Sequence, residues 1–144
     1  MKRLAYCLAV VASASLVAAP QAMAQPSVGT AVYVQIRQSF EPVDGDDQCV
    51  GTAALGPVRR GSSVVLSEGA TAADGPKVAV GQFYRSRLRD GVCEALYITS
   101  APVMPAFDVQ FAGPQGELSP TFGPTPSEPV TYQPGIEQVV RVDI

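Results

Sequence analysis

The sequence predicts an all-β domain, an antiparallel immunoglobulin-like β-sandwich with one disulfide and a Pro-rich C-terminal excursion. Three observations predict it. Apolar and polar residues alternate in several short segments, turn residues recur at roughly ten-residue intervals, and Cys49 and Cys93 remain as a pair once an N-terminal leader is set aside.

Residues 1–24 carry the three regions of a secretory leader. Lys2 and Arg3 precede an apolar and small-residue run from Leu4 to Ala19, and Ala22-Met23-Ala24 supplies the small side chains a signal peptidase accepts. The run is 16 residues long, is diluted by Ser13 and Ser15, and ends at Pro20. It is short of the ~20 apolar residues that span a bilayer. Cleavage after Ala24 is expected, leaving a secreted chain in the extracellular or cell-envelope space, without stable membrane insertion.

Removing the leader changes the arithmetic. Cys7 leaves with it, so an odd cysteine count becomes a pair in a compartment that oxidises thiols. The Cys49–Cys93 bridge is a structural staple, because no Cys-x-x-Cys spacing marks a redox couple. Lys2 and Arg3 also leave, so 8 cations face 13 acids, a net charge of −5. That balance disfavours nucleic acid and anionic membrane as general partners.

Residues 25–112 are expected to form the sandwich core. From Thr30 the chain alternates, Val32, Val34 and Ile36 on one side and Tyr33, Gln35 and Arg37 on the other, the period of a half-buried strand. Glu41 to Asp47 then reads as a turn, and Gln48 to Ala53 as an extended segment carrying Cys49. After the Gly56-Pro57 turn, Ser62 to Ser67 is short and β-branched at its centre, and the small and polar run Glu68 to Gly75 predicts a mobile loop. Lys77 to Arg89 is the longest extended stretch, and Asp90-Gly91 is a two-residue hairpin signal leading into Val92 to Ile98. Phe107, Val109 and Phe111 alternate with Asp108 and Gln110 as a further strand.

Residues 113–135 contain six prolines, a density that argues against a central strand or a regular helix. They are expected to form a long extended excursion. Residues 136–144 resume the alternation, with Val140, Val142 and Ile144 opposite Arg141 and Asp143, and are expected to be an ordered last strand.

An early alternating strand and an acidic Gly-containing turn are followed by Cys49, by Gly51, Gly56 and Gly61, and by Val64-Val65-Leu66. A turn at Gly75, Val78-Ala79-Val80-Gly81 and a strand opened by Cys93 complete the series. This order of landmarks resembles that of small secreted β-sandwich proteins of actinobacteria with one disulfide. The resemblance covers roughly residues 30 to 111 and implies an exported immunoglobulin-like fold and no established activity. Pro57-Val58-Arg59-Arg60 stands where it would place an acidic turn, and the Pro-rich part lies outside it.

The composition excludes several chemistries. The chain has no His, no Trp and no Asn, so it builds no Ser-His-Asp or Cys-His unit, no His-ligated metal site and no N-glycosylation sequon. Nucleotide and acyl-transfer fingerprints are missing as well, and no cofactor is indicated. Asp44, Asp46 and Asp47 form the one acidic cluster. Read as a calcium loop from Asp44, it has Gln48 at the third ligand position and Cys49 where Gly belongs, so a solvated turn is the expected reading. The same acids, or Glu94 with Asp108, are the carboxylates a hydrolase of the glycosidase type would need.

Arg85, Arg87 and Arg89 carry more weight, because spacing of two on a strand puts three guanidinium groups on one face. Such forks suit bidentate capture of carboxylate or phosphate. They also serve as a solvated face or as cross-strand partners for acids such as Glu94. Pro126-Ser127-Glu128-Pro129 has P-x-x-P spacing, better explained as a covering segment than as a ligand for a groove. The expected function is a secreted, non-catalytic binding module for a protein or envelope component of unknown identity. An extracellular carboxylate-dependent hydrolase and a structural envelope-associated protein are the alternatives.

Overall fold

In β1 (Ser27–Ile36) the alternation is realised, with Val32, Val34 and Ile36 fully buried while Tyr33 and Gln35 lie half-buried on the opposite side. The structure, a computed structural model, describes residues 26–69, 75–131 and 133–144. The expected leader of residues 1–24 and most of the expected Glu68 to Gly75 loop lie outside the described residues. The remaining strands are β2 (Phe40–Pro42), β3 (Cys49–Gly51), β4 (Ser63–Glu68), β5 (Lys77–Arg89), β6 (Val92–Pro102), β7 (Ala106–Ala112), β8 (Phe122–Pro129) and β9 (Gln138–Asp143). The extended segment expected from Gln48 to Ala53 is shorter, since β3 stops at Gly51 and Ala53–Leu55 forms a 3-10 turn.

The hairpin between β5 and β6 forms as the Asp90-Gly91 pair dictates. Arg89 pairs with Val92, and Asp90 and Gly91 take φ values of 49° and 74°, the positive pair that a type I′ turn requires.

The main sheet is where the structure departs from the sequence expectation. Seven strands run in the order β1-β6-β5-β4-β7-β8-β9, and β9 pairs back onto β1, closing a barrel. An odd number of strands cannot alternate in direction all the way round, so one pair must run parallel, and that pair is β1 with β9. The domain is all-β and disulfide-linked, but the main sheet is this closed ring rather than the two facing layers of an immunoglobulin-like sandwich. The strand that links β7 to β9 is the segment the prolines argued against. Phe122–Pro129 is β8, a strand inside the expected excursion of residues 113–135. It makes three rungs to β7, interrupted by a bulge, and three to β9. Thin ladders are what a strand short of N–H donors can offer.

Side chains fill the ring, as in other small barrels. Phe107, Val109 and Phe111 of β7, Val64 and Leu66 of β4, and Val140 and Val142 of β9 join the β1 residues in one core. Tyr97 of β6 sits at its centre, fully buried, edge-on to Phe83 at 5.5 Å between centroids and tilted against Phe111 at 5.3 Å. The Ser62 hydroxyl donates to the Arg59 carbonyl (2.6 Å), so its oxygen is free to accept from the Tyr97 hydroxyl (2.7 Å). Burial pushes the Tyr97 phenol well above its ordinary range, with the Ser62 contact opposing it.

The disulfide joins Cys49 of β3 to Cys93 of β6, with Cα atoms 5.9 Å apart. It ties the separate β2–β3 sheet to the barrel end where β1 finishes and β6 begins, because Cys93 pairs with Ile36. Leu55 and Val58, from the connection between β3 and β4, enter the barrel core.

At the other end, Val130 and Ile136 of the β8–β9 connection lie on the outside of the barrel. Val130 and Ile136 pack with Tyr33 against a smaller apolar cluster of Ala31, Leu96 and Val139. Gly29 permits the approach: a Cβ there would lie 1.7 Å from the Gly135 carbonyl oxygen, while the Glu137 N–H donates to the Gly29 carbonyl at 2.8 Å. Gly29→Val is therefore expected to displace this strap at a cost of about 1–3 kcal/mol. Faster hydrogen exchange at the Glu137 amide, with the barrel strands still protected, would report it; unchanged protection at Glu137 would refute it.

Candidate functional site

The position of the three arginines depends on one extra residue. From Ala79 to Phe83, the odd-numbered residues of β5 point inward: Ala79 packs on the core, Gly81 is buried and Phe83 packs on Tyr97. Strict alternation would carry Arg85, Arg87 and Arg89 into the core on that side. Instead the register with β6 shifts between Phe83, opposite Tyr97, and Arg85, opposite Leu96, leaving Tyr84 as the extra residue. Such a bulge resets which face each following side chain takes. Ser86, opposite Ala95, becomes the buried position, and the arginines turn outward and are exposed.

Strand order then brings further residues to the same outer surface. Across β9, β1, β6 and β5 the register aligns Arg141, Tyr33, Leu96 and Arg85 in one row, and Asp143, Gln35, Glu94 and Arg87 in the next. A shallow groove of about 310 Å³ runs over this surface, lined in part by Tyr33, Gln35, Arg87, Arg89, Gln133 and Arg141. Arg37, just past β1, lines an adjoining hollow with Arg89 and Glu94. Arg37, Tyr33, Gln35 and Arg141 were not among the residues the sequence singled out. Their outward parity was readable, but the β9-β1-β6-β5 order that makes them neighbours was not.

The cations differ in what they already hold. Arg37 grips Asp143 with two nitrogens, at 2.9 and 3.2 Å, and this contact holds the Asp143 carboxyl below its ordinary range. Arg87 donates to Glu94 at 2.9 Å. Arg141 lies 3.7 Å from Glu128, with its guanidinium 5.4 Å from the centre of the Tyr33 ring. Arg85 and Arg89 make no ion pair among the described residues; Arg85 lies 5.8 Å from the centre of the Tyr84 ring. The cross-strand reading thus describes Arg87 but not its two neighbours. Five of the eight cations after residue 24 share this surface, with Glu94, Asp143 and Glu128 as the acids paired among them.

The acidic turn is used differently. Asp47 accepts from Arg60 at 2.6 Å and from the Ser86 amide at 3.3 Å, fastening the turn to β5. Asp44 and Asp46 are exposed. Among the described residues no three His, Cys, Asp or Glu side chains are grouped to hold a metal ion. Glu94 and Asp108 are not brought together: their strands β6 and β7 are separated in the ring by β5 and β4. Asp108 is buried beside Gly123, whereas Glu94 faces Arg87. A second cavity, of about 540 Å³, opens at the barrel end lined by Ser27, Glu68, Val78 and residues 102–105. Glu68 is the single carboxylate in that lining among the described residues.

No helix in the described residues is long and apolar enough to cross a membrane. Comparison of the chain with protein-family models, with curated proteins and with solved structures finds no match.

Proposed function

We propose that the protein is an exported, non-catalytic binding module whose Arg85/Arg87/Arg89 face engages an acidic protein or envelope component. The observation that carries this reading is the bulge at Tyr84, which turns three arginines out of the core and leaves two of them without a carboxylate among the described residues. An exposed guanidinium fork free of an internal partner is available for bidentate contact with carboxylate or phosphate. The leader of residues 1–24 supports export, and the Cys49–Cys93 bridge is consistent with an oxidising compartment. The net −5 of the exported chain makes a locally cationic face selective, since it attracts acidic partners that the rest of the surface repels.

The test is affinity capture from the extracellular and envelope fractions of the natural host, with wild type and R85A/R87A/R89A side by side. Wild type is expected to retain a partner that moderate salt releases, because exposed charges are screened within roughly 8–10 Å. If two guanidiniums each contribute a charge-assisted bond of ~1.5 kcal/mol, the triple variant weakens binding on the order of a hundredfold. A folded variant that holds the partner as tightly as wild type would overturn the assignment.

A further inference from the structure

We propose that the outer face of β5 and β6 is a two-part docking surface for a protein segment carrying apolar side chains at one end and carboxylates at the other. This deepens the binding reading above and rests on it. Six large apolar side chains are exposed among the described residues, and three of them, Val80, Tyr84 and Ile98, lie on this face. Parity places them there. Gly81 and Phe83 point inward, so Val80 and Gln82 point outward; Tyr97 points inward, so Ile98 points outward, and it pairs directly with Gln82. Val65 of β4 lies opposite Val80 and extends the apolar end.

The character of the surface changes at the bulge. On one side lie Val80 and Ile98; on the other lie Arg85, Arg87 and Arg89, reaching roughly 13 Å along the strand from the first to the last. Tyr84 marks the boundary, its ring beside the Arg85 guanidinium. Tyrosine and arginine are the side chains protein interfaces favour, and lysine, which they disfavour, does not occur beyond Lys77.

Charge and topology select the occupant. A closed ring offers no unpaired strand edge here, so a partner must be read through side chains rather than by adding a strand. The surplus of acids over the rest of the chain repels an anionic bilayer, whereas a short acidic segment of a protein approaches the arginines alone. Complementarity then requires the carboxylates over Arg85 and Arg89 and the apolar groups over Val80, Tyr84 and Ile98.

Three synthetic peptides of equal length test this by fluorescence anisotropy with the purified protein: one of Glu and Ser, one of Leu and Ser, and one joining a Leu-containing half to a Glu-containing half. The joined peptide is expected to bind about tenfold tighter than the Glu peptide, the worth of burying one large apolar side chain. Val80→Ser with Ile98→Ser should reduce the joined peptide to the level of the Glu peptide and leave the Glu peptide unchanged. Arg85→Ala with Arg89→Ala should weaken both. Equal binding of the Glu and joined peptides overturns the two-part surface while leaving the arginine face intact. Binding that the arginine variant does not weaken, or no binding of either peptide, overturns both readings. Tighter binding to vesicles of equal phosphatidylglycerol and phosphatidylcholine than to any peptide, or Tyr84-dependent self-association in sedimentation, overturns the assignment of a protein segment as occupant.

Discussion

Tyr97→Ala is expected to destabilise the protein by about 3–5 kcal/mol, the usual loss when a fully buried aromatic ring is removed from a packed core. Domains of this kind have roughly 5–15 kcal/mol in total, so the midpoint of urea unfolding should fall by about a fifth or more. Tyr97 stands between Phe83 and Phe111, and Phe111 in turn meets Phe122 at 6.1 Å. These rings connect β5, β6, β7 and β8 through the middle of the barrel. A cavity there cannot be filled by one neighbour without disturbing the next. Tyr97→Phe separates the ring from the hydroxyl. Ser62 keeps its bond to the Arg59 carbonyl, so the expected loss is only about 1 kcal/mol. The hydroxyl also predicts a pH dependence. Its folded pKa is raised by burial, so as pH climbs through the ordinary phenol range near ~10 the unfolded chain loses this proton first. Protons then favour the native state, and stability present below that range is lost as pH rises through it. Urea titrations at neutral and alkaline pH should show a fall in wild type that is smaller in Tyr97→Phe. A loss below ~1 kcal/mol in Tyr97→Ala would mean the ring is not central to the core.

Removing the disulfide should have the next largest effect. Cys49 and Cys93 are 44 residues apart, and the chain-entropy estimate for closing such a loop is about 4 kcal/mol, reduced by any native strain. Cys49→Ser with Cys93→Ser is expected to cost about 2–4 kcal/mol, with most of the loosening at β2 and β3. That pair makes only three rungs of its own, and a two-stranded sheet is marginal alone. It is then held by Ser86, whose hydroxyl donates to the Cys49 carbonyl at 2.7 Å, and by Gln48, whose side chain accepts the Leu88 amide at 2.9 Å. Hydrogen exchange should rise first around Val43 and Gly51, with β1 and β6 protected. Identical unfolding curves with and without dithiothreitol would show that these polar contacts, not the bridge, hold the segment.

What the sequence disclosed follows the range of its signals. β1, β7 and β9 were legible because each has a buried and a less buried side, and a period of two records that directly. The β5–β6 turn was legible because two adjacent positive φ values restrict the residues allowed. Barrel closure was not, because it depends on β9 lying beside β1 across more than a hundred residues, and on β8, whose prolines suppress the local strand signal. The arginine face was legible as a shared face but not as an outward one. Without the extra residue at Tyr84, the same spacing would have aimed all three guanidiniums at the core, and no side-chain pattern announces a single-residue bulge.

The pairing of β9 with β1 has a consequence for the order in which the chain matures. β1 leaves the ribosome before any other strand of the ring, yet one of its two neighbours, Gln138–Asp143, emerges after all the rest. Until those residues are available, β1 and β8 each retain an open flank and Val32, Val34 and Ile36 lack part of their cover. Closure of the ring therefore waits for β9, in whatever order the strands before it pair.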